Sequence, residues 1–190
     1  MPDSFKTYLP WLILREIPLL GNTMFKRLID HFHSPEAVLN APQKELAQIY
    51  RMSDPLITGI QMHEKFADAA RKELHRIISC QAKIVTLTDP DYPPLLKQIN
   101  DPPPFLTYLG TLDRSAPCIS IIGSRSATRY GLNTAGNLAY QLAKRGFQVV
   151  SGMALGIDTM AHDGALRADG RTIAVLGSGL NRIYPRSSTK

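Results

Sequence analysis

Three short apolar runs, Cys118–Ile122, Phe147–Val150 and Thr172–Leu176, each close in small residues: Gly123-Ser124, Ser151-Gly152 and Gly177-Ser178-Gly179. Runs so brief and so nearly continuous are those of parallel strands buried on both faces. Helical stretches of about Thr128–Arg145 and Ile157–Ala168 lie between them. The resulting β-α-β-α-β series predicts an α/β fold with a Rossmann-like, mostly parallel sheet. Nothing after the third run has room for another helix, whereas a doubly wound sheet generally has five or six strands. The expectation is an α/β domain cut short on its carboxyl side.

The first 82 residues carry a different period. Leu9, Leu12, Ile13 and Ile17, then Met24, Phe25, Leu28, Ile29 and Phe32, recur at intervals of three and four, as on a helix with one buried face. Ser34-Pro35 and Ala41-Pro42 are helix starts, and a longer amphipathic helix is expected from about Gln61 to Ala82. At residue 83 the pattern becomes alternating and β-branched, with strands predicted near 83–88 and 105–110 that extend the parallel sheet. The prolines between them impose turns and extended backbone. Two domains follow: a small all-α domain over 1–82 and a Rossmann-like domain over 83–190.

Two cysteines, Cys80 and Cys118, are too few for a disulfide framework or a four-ligand zinc site. No apolar run approaches the ~18 residues of a membrane span, and the amino terminus is a poor signal peptide. A reducing cytoplasm is the default location, with no membrane partner. The net charge of +6 is unevenly placed. Lys and Arg exceed Asp and Glu by 10 to 9 over residues 1–82, fall short by 2 to 3 over 83–112, and exceed them by 10 to 4 over 113–190. Any electrostatic capture of a polyanion belongs to the last segment.

In open parallel sheets ligands bind beyond the carboxyl ends of the strands, where small residues let backbone amides approach an anion. The spacing argues against a dinucleotide. Arg125 stands where G-x-G-x-x-G needs its second glycine, and the second strand ends in Ser151 instead of a ribose-binding acid. A P-loop is absent as well. The predicted rim is therefore anion-binding without being built for a nucleotide cofactor, and no cofactor or metal is expected.

Tyr92-Pro-Pro-Leu-Leu-Lys97 with Asp101-Pro-Pro-Pro-Phe-Leu106, Ile122-Gly-Ser-Arg125 with Tyr130-Gly131, Ser151-Gly-Met-Ala-Leu-Gly-Ile-Asp158 with Ala161-His162, Val175-Leu-Gly-Ser-Gly179, and Tyr184-Pro185 follow in order over about residues 83–185. Together they closely resemble the DNA-processing protein A family, DprA or Smf. The helical N-terminus looks like that family's sterile-alpha-motif-like domain. The resemblance implies a cytoplasmic, non-enzymatic protein of natural transformation. It would bind and protect incoming single-stranded DNA, help load the RecA recombinase, and self-associate as a homodimer. Family members continue for a hundred or more residues past the point where this chain stops.

Arg125 is the first candidate to grip a phosphate or stack on a base; the structural alternative is an ion pair, perhaps with Asp158. Gly123 and Ser124 form the same cradle by resemblance. Ser151, Gly152 and Gly156 line the second turn, where close packing of helix on strand is the competing reading for Gly156. Gly177 and Gly179 complete the rim, with Arg182 and Arg186 adding charge. Asp158 and His162 lie four apart on one helix face. They read as a structural hydrogen-bond network more readily than as an acid–base or metal pair. Tyr184 either stacks on a base or packs over the turn. Arg129, Lys144, Arg145, Arg167 and Arg171 read as scattered solvated charge. Ile17-Pro-Leu-Leu-Gly21 resembles a helix-hairpin-helix turn, but Leu19 replaces its first glycine, which favours a packing module. The alternative function is enzymatic, of the LOG-like nucleotide phosphoribohydrolase type. That family's Pro-Gly-Gly-x-Gly-Thr segment is missing here.

Overall fold

Helices α1 (Asp3–Glu16) and α2 (Asn22–Phe32) are joined by the Pro18–Gly21 turn in a computed structural model that describes residues 3–181 and 183. Ile17 and Leu20 are buried at this turn, while Leu19 is exposed and takes a left-handed φ of 67°. An L side chain pays about 1–2 kcal/mol there, so Leu19 adopts the conformation for which glycine is better suited. Helix α3 (Pro35–Leu39) starts as its sequence predicts, with the Ser34 hydroxyl oxygen accepting from the Ala37 N–H at 3.1 Å. Helices α4 (Gln43–Leu46), α5 (Asp54–Gln61) and α6 (Ala67–Ser79) complete the set. The long helix expected from Gln61 is interrupted, because α5 ends there and a 3-10 turn over His63–Phe66 precedes α6. Leu14, Phe25, Leu28, Val38, Leu46, Ile60 and Leu74 form the buried interior, with the Trp11 and Phe25 rings stacked at 5.7 Å.

Strands β1 (Lys83–Thr86) and β2 (Phe105–Tyr108) pair antiparallel, Lys83 opposite Tyr108 and Thr86 opposite Phe105. They form a two-stranded sheet of their own and do not extend the parallel sheet. Alternation identifies a strand but not its partner. The short helix α7 (Pro94–Lys97) lies in the proline-rich connection. Tyr92 anchors that connection, donating its hydroxyl to the Pro103 carbonyl at 2.8 Å from a buried position. Burial pushes the Tyr92 hydroxyl up to about 12. The chain divides into compact units at 111/112, later than the change of period at 82/83. Val85, Leu87 and Tyr92 are buried, so residues 83–111 have a core to join within the first unit.

The second unit is the expected β-α-β-α-β series. It runs β3 (Cys118–Ser120), α8 (Arg129–Lys144), β4 (Gln148–Ser151), α9 (Ile157–Arg167) and β5 (Thr172–Ala174). The strands are parallel in the order β3-β4-β5, with Ile119 beside Val149 and Val150 beside Ile173. Ile121 and Val149 share one buried cluster with Ala135, Ala139 and Ala143 of α8 and Ala161 and Ala165 of α9. Both helices therefore cover the same face. Small side chains let them approach closely: a Cβ on Gly164 would stand 2.2 Å from the Gly136 carbonyl oxygen and 2.9 Å from the Ala139 Cβ. At the amino ends of the strands, Asp113 pairs with Arg171, and its carbonyl accepts from the Gln148 amide at 2.8 Å. Hydrogen bonds from Ser115, aided by Arg171, hold the Asp113 carboxyl below its ordinary range.

Candidate nucleic-acid interface

The carboxyl ends of β3 and β4 converge on one carboxylate. Asp158, in the first turn of α9, is buried. Its Oδ1 accepts from the Gly123 N–H at 3.4 Å, and its Oδ2 accepts from Gly152 at 3.2 Å and Ala154 at 3.4 Å. The amides of Gly123 and Gly152, expected to face an anion, are thus directed at a side chain of the protein itself. A Cβ on Gly152 would stand 2.8 Å from Asp158 Oδ2, so glycine is what lets the carboxylate come so near. Ser151 turns inward as well: it is buried and donates its hydroxyl to the Ile121 carbonyl at 2.7 Å, fastening the end of β4 to that of β3.

Gly156 has φ 83°, and a Cβ there would meet the Ser124 carbonyl oxygen at 2.3 Å and the Arg125 carbonyl oxygen at 2.8 Å. The Ile157 N–H donates to the same Ser124 carbonyl at 3.2 Å. The second turn therefore buttresses the first from beneath, which is the close-packing role for Gly156. Above it, Ser124 Oγ accepts from the Ser126 N–H at 3.1 Å and Thr128 Oγ1 caps α8 through Gly131 at 3.2 Å.

Arg125 projects from this braced turn. It is exposed, and among the described residues it has no hydrogen-bonding or ion-pair partner; the Asp158 pair weighed from sequence is not formed. Arg129, which the sequence marks only as scattered solvated charge, begins α8 at the same end of the sheet and is likewise exposed and without a partner among the described residues. The other basic side chains are engaged elsewhere. Arg167 binds Asp163 at 3.0 Å, Arg171 binds Asp113, Arg145 reaches Gln141, and Lys144 lies over the Tyr140 ring. Gly177 and Gly179 are exposed, and no atom approaches the position of a Gly177 Cβ within 4 Å. Arg182, Tyr184 and Arg186 lie outside the described residues.

His162 does not bind Asp158. Its Nδ1 lies 2.6 Å from Thr172 Oγ1, whose proton goes to the Val149 carbonyl at 2.8 Å. The hydroxyl must therefore accept, which places the imidazole proton on Nδ1 and leaves Nε2 as a buried acceptor with no partner among the described residues. Burial holds the His162 pKa below its ordinary 6.5, against a smaller opposing effect of Asp158. No group of three metal-ligating side chains exists among the described residues.

A parallel sheet whose strand ends are framed by packed glycines, beneath an arginine that has no partner among the described residues, defines a Rossmann-like domain. The family model for DNA recombination-mediator protein A matches residues 83–190, so the chain belongs to that family. Smf of Synechocystis is 37% identical over 191 residues, covering 97% of this chain and 47% of that protein. The Bacillus subtilis DNA processing protein DprA is 39% identical over 106 residues, covering 55% of this chain and 36% of that protein. The X-ray structure of DprA from Streptococcus pneumoniae superposes with a TM-score of 0.78 at 27% identity, over 96% of this chain and 62% of that one. The chain thus spans about half the length, or less, of these curated relatives.

Proposed function

We propose that the chain binds single-stranded DNA across the carboxyl ends of β3, β4 and β5, without sequence readout and without catalysis. The observation that carries this reading is Arg125: an exposed guanidinium with no partner among the described residues, on a turn braced by Asp158 and Gly156. Because Asp158 occupies the inner amides, the grip on phosphate falls to side chains, Arg125 and Arg129 with the Ser124 hydroxyl. Gly123, Ser151, Gly152 and Gly156 serve as the frame; Gly177 and Gly179 leave room for the strand. The excess of basic over acidic residues across 113–190 supports a polyanionic partner.

In the cell, this reading makes the protein a cytoplasmic mediator that protects incoming strands in natural transformation and helps load RecA, acting as a homodimer. Membership of a DNA recombination-mediator family supports that setting. Fluorescence anisotropy with labelled oligo-dT tests the binding step. Arg125→Ala should weaken affinity up to about fivefold, as expected for an exposed charge-assisted phosphate contact of about 1 kcal/mol or less. An unchanged affinity would remove Arg125 from the site.

A further inference from the structure

Surface ion pairs in water are each worth less than about 1 kcal/mol and fade with salt. A rim that holds phosphates only through exposed arginines would therefore bind a single strand weakly. Base stacking on an aromatic face adds about 1–3 kcal/mol per base, tolerates any sequence, and does not depend on counterions.

One residue is placed to supply it. Tyr130 lies in the first turn of α8, directly after Arg129 and five residues past Arg125, and is 80% exposed. It is the only exposed aromatic side chain among the described residues of 112–190; Tyr140 and Phe147 are partly buried. Its ring stacks on no other ring and carries no cation among those residues, whereas Lys144 does cover Tyr140. Leu155, on the turn after β4, is also exposed at this end of the sheet.

We propose that Tyr130 is a base-stacking residue: its ring takes a base of the single strand whose phosphates Arg125 and Arg129 hold. This rests on the proposed single-strand site and adds a contact to the bases, which the arginines do not provide.

The test separates the two contributions by removing the bases. Anisotropy is measured with labelled oligo-dT and with an abasic oligonucleotide of equal length, using the wild-type chain, Tyr130→Ala, Tyr130→Phe and Arg125→Ala. Tyr130→Ala should lose about tenfold in affinity for oligo-dT and remain within twofold of wild type on the abasic strand. Tyr130→Phe should restore oligo-dT binding, since the ring suffices. Equal binding of oligo-dT by Tyr130→Ala and wild type, or equal losses on both strands, would overturn the stacking role. Arg125→Ala should lose affinity on both strands. If it loses on neither while Tyr130→Ala remains selective, the phosphate contact fails and the stacking contact stands. If the wild-type chain binds neither strand, both fall. The ring is exposed, and circular dichroism of the variants confirms that they fold.

Discussion

Asp158 and His162 are four residues apart on one helix face and do different things. Asp158 holds three amides from two turns, and a hydrogen bond to a charged group is worth about 1.5–3 kcal/mol. The geometry is long at Gly123 and Ala154, so a total loss of about 2–4 kcal/mol is expected for Asp158→Ala in urea unfolding. Asp158→Asn should lose less, because one oxygen still accepts. A stability within 0.5 kcal/mol of wild type, roughly the scatter of neutral surface changes, would show that these bonds do not hold the turns. His162 contributes a pH dependence instead. Its folded pKa is depressed by burial, so the unfolded chain binds the proton more readily. The stability tied to the neutral ring is fully present above pH 6.5 and is lost as pH falls through the depressed folded value. His162→Gln should flatten this part of the profile: wild type should lose more thermal stability than the variant between pH 7 and pH 5. Parallel profiles would remove His162 as the source.

At the level of elements, the backbone contact between α8 and α9 carries the sharpest expectation. Gly164→Val would drive a side chain into the Gly136 carbonyl, against which even a Cβ falls at 2.2 Å. Overpacking of this kind costs about 1–3 kcal/mol or more, and here backbone must move. A marked fall in the unfolding midpoint is predicted, and a wild-type midpoint would mean that the helices pack otherwise. The three parallel strands and both helices were legible in the sequence because their apolar runs end abruptly in glycine and serine. The strands pair over fewer residues than the runs suggested, since the backbone peels away into the turns, although Ile121 N–H still reaches the Val150 carbonyl at 3.0 Å. The separate β1–β2 sheet was not legible, because register and partner depend on contacts between residues that stand far apart along the chain, from Thr86 opposite Phe105 to Lys83 opposite Tyr108. The same limit hid the role of Asp158. Its Gly123 partner lies 35 residues away, and nothing local marks that glycine as a donor to a side chain instead of to a ligand. The sequence marks Arg129 only as solvated charge and Tyr130 only as part of a motif, because exposure and lack of a partner are properties of the folded surface.

Across the whole molecule, the uneven charge gains meaning from what the structure pairs off. The excess of six positive charges over residues 113–190 is not a uniform field. Arg167 and Arg171 are matched to carboxylates, whereas Arg125 and Arg129, at the carboxyl ends of the strands, have no such partner among the described residues. The family match starts at residue 83, where the sequence period changes, yet residues 83–111 are compact with the helices. Evolutionary and packing boundaries therefore differ by the length of one proline-rich connection and its two strands. The central claim, that this rim grips the backbone of a single strand through Arg125, is tested most directly by titrating salt against oligo-dT binding. For single strands, the slope of log K against log salt is about −0.7 per neutralised phosphate. Arg125→Ala should bind more weakly at low salt and show a slope shallower by about 0.7, the loss of one phosphate contact. Superimposable lines for variant and wild type would contradict the account.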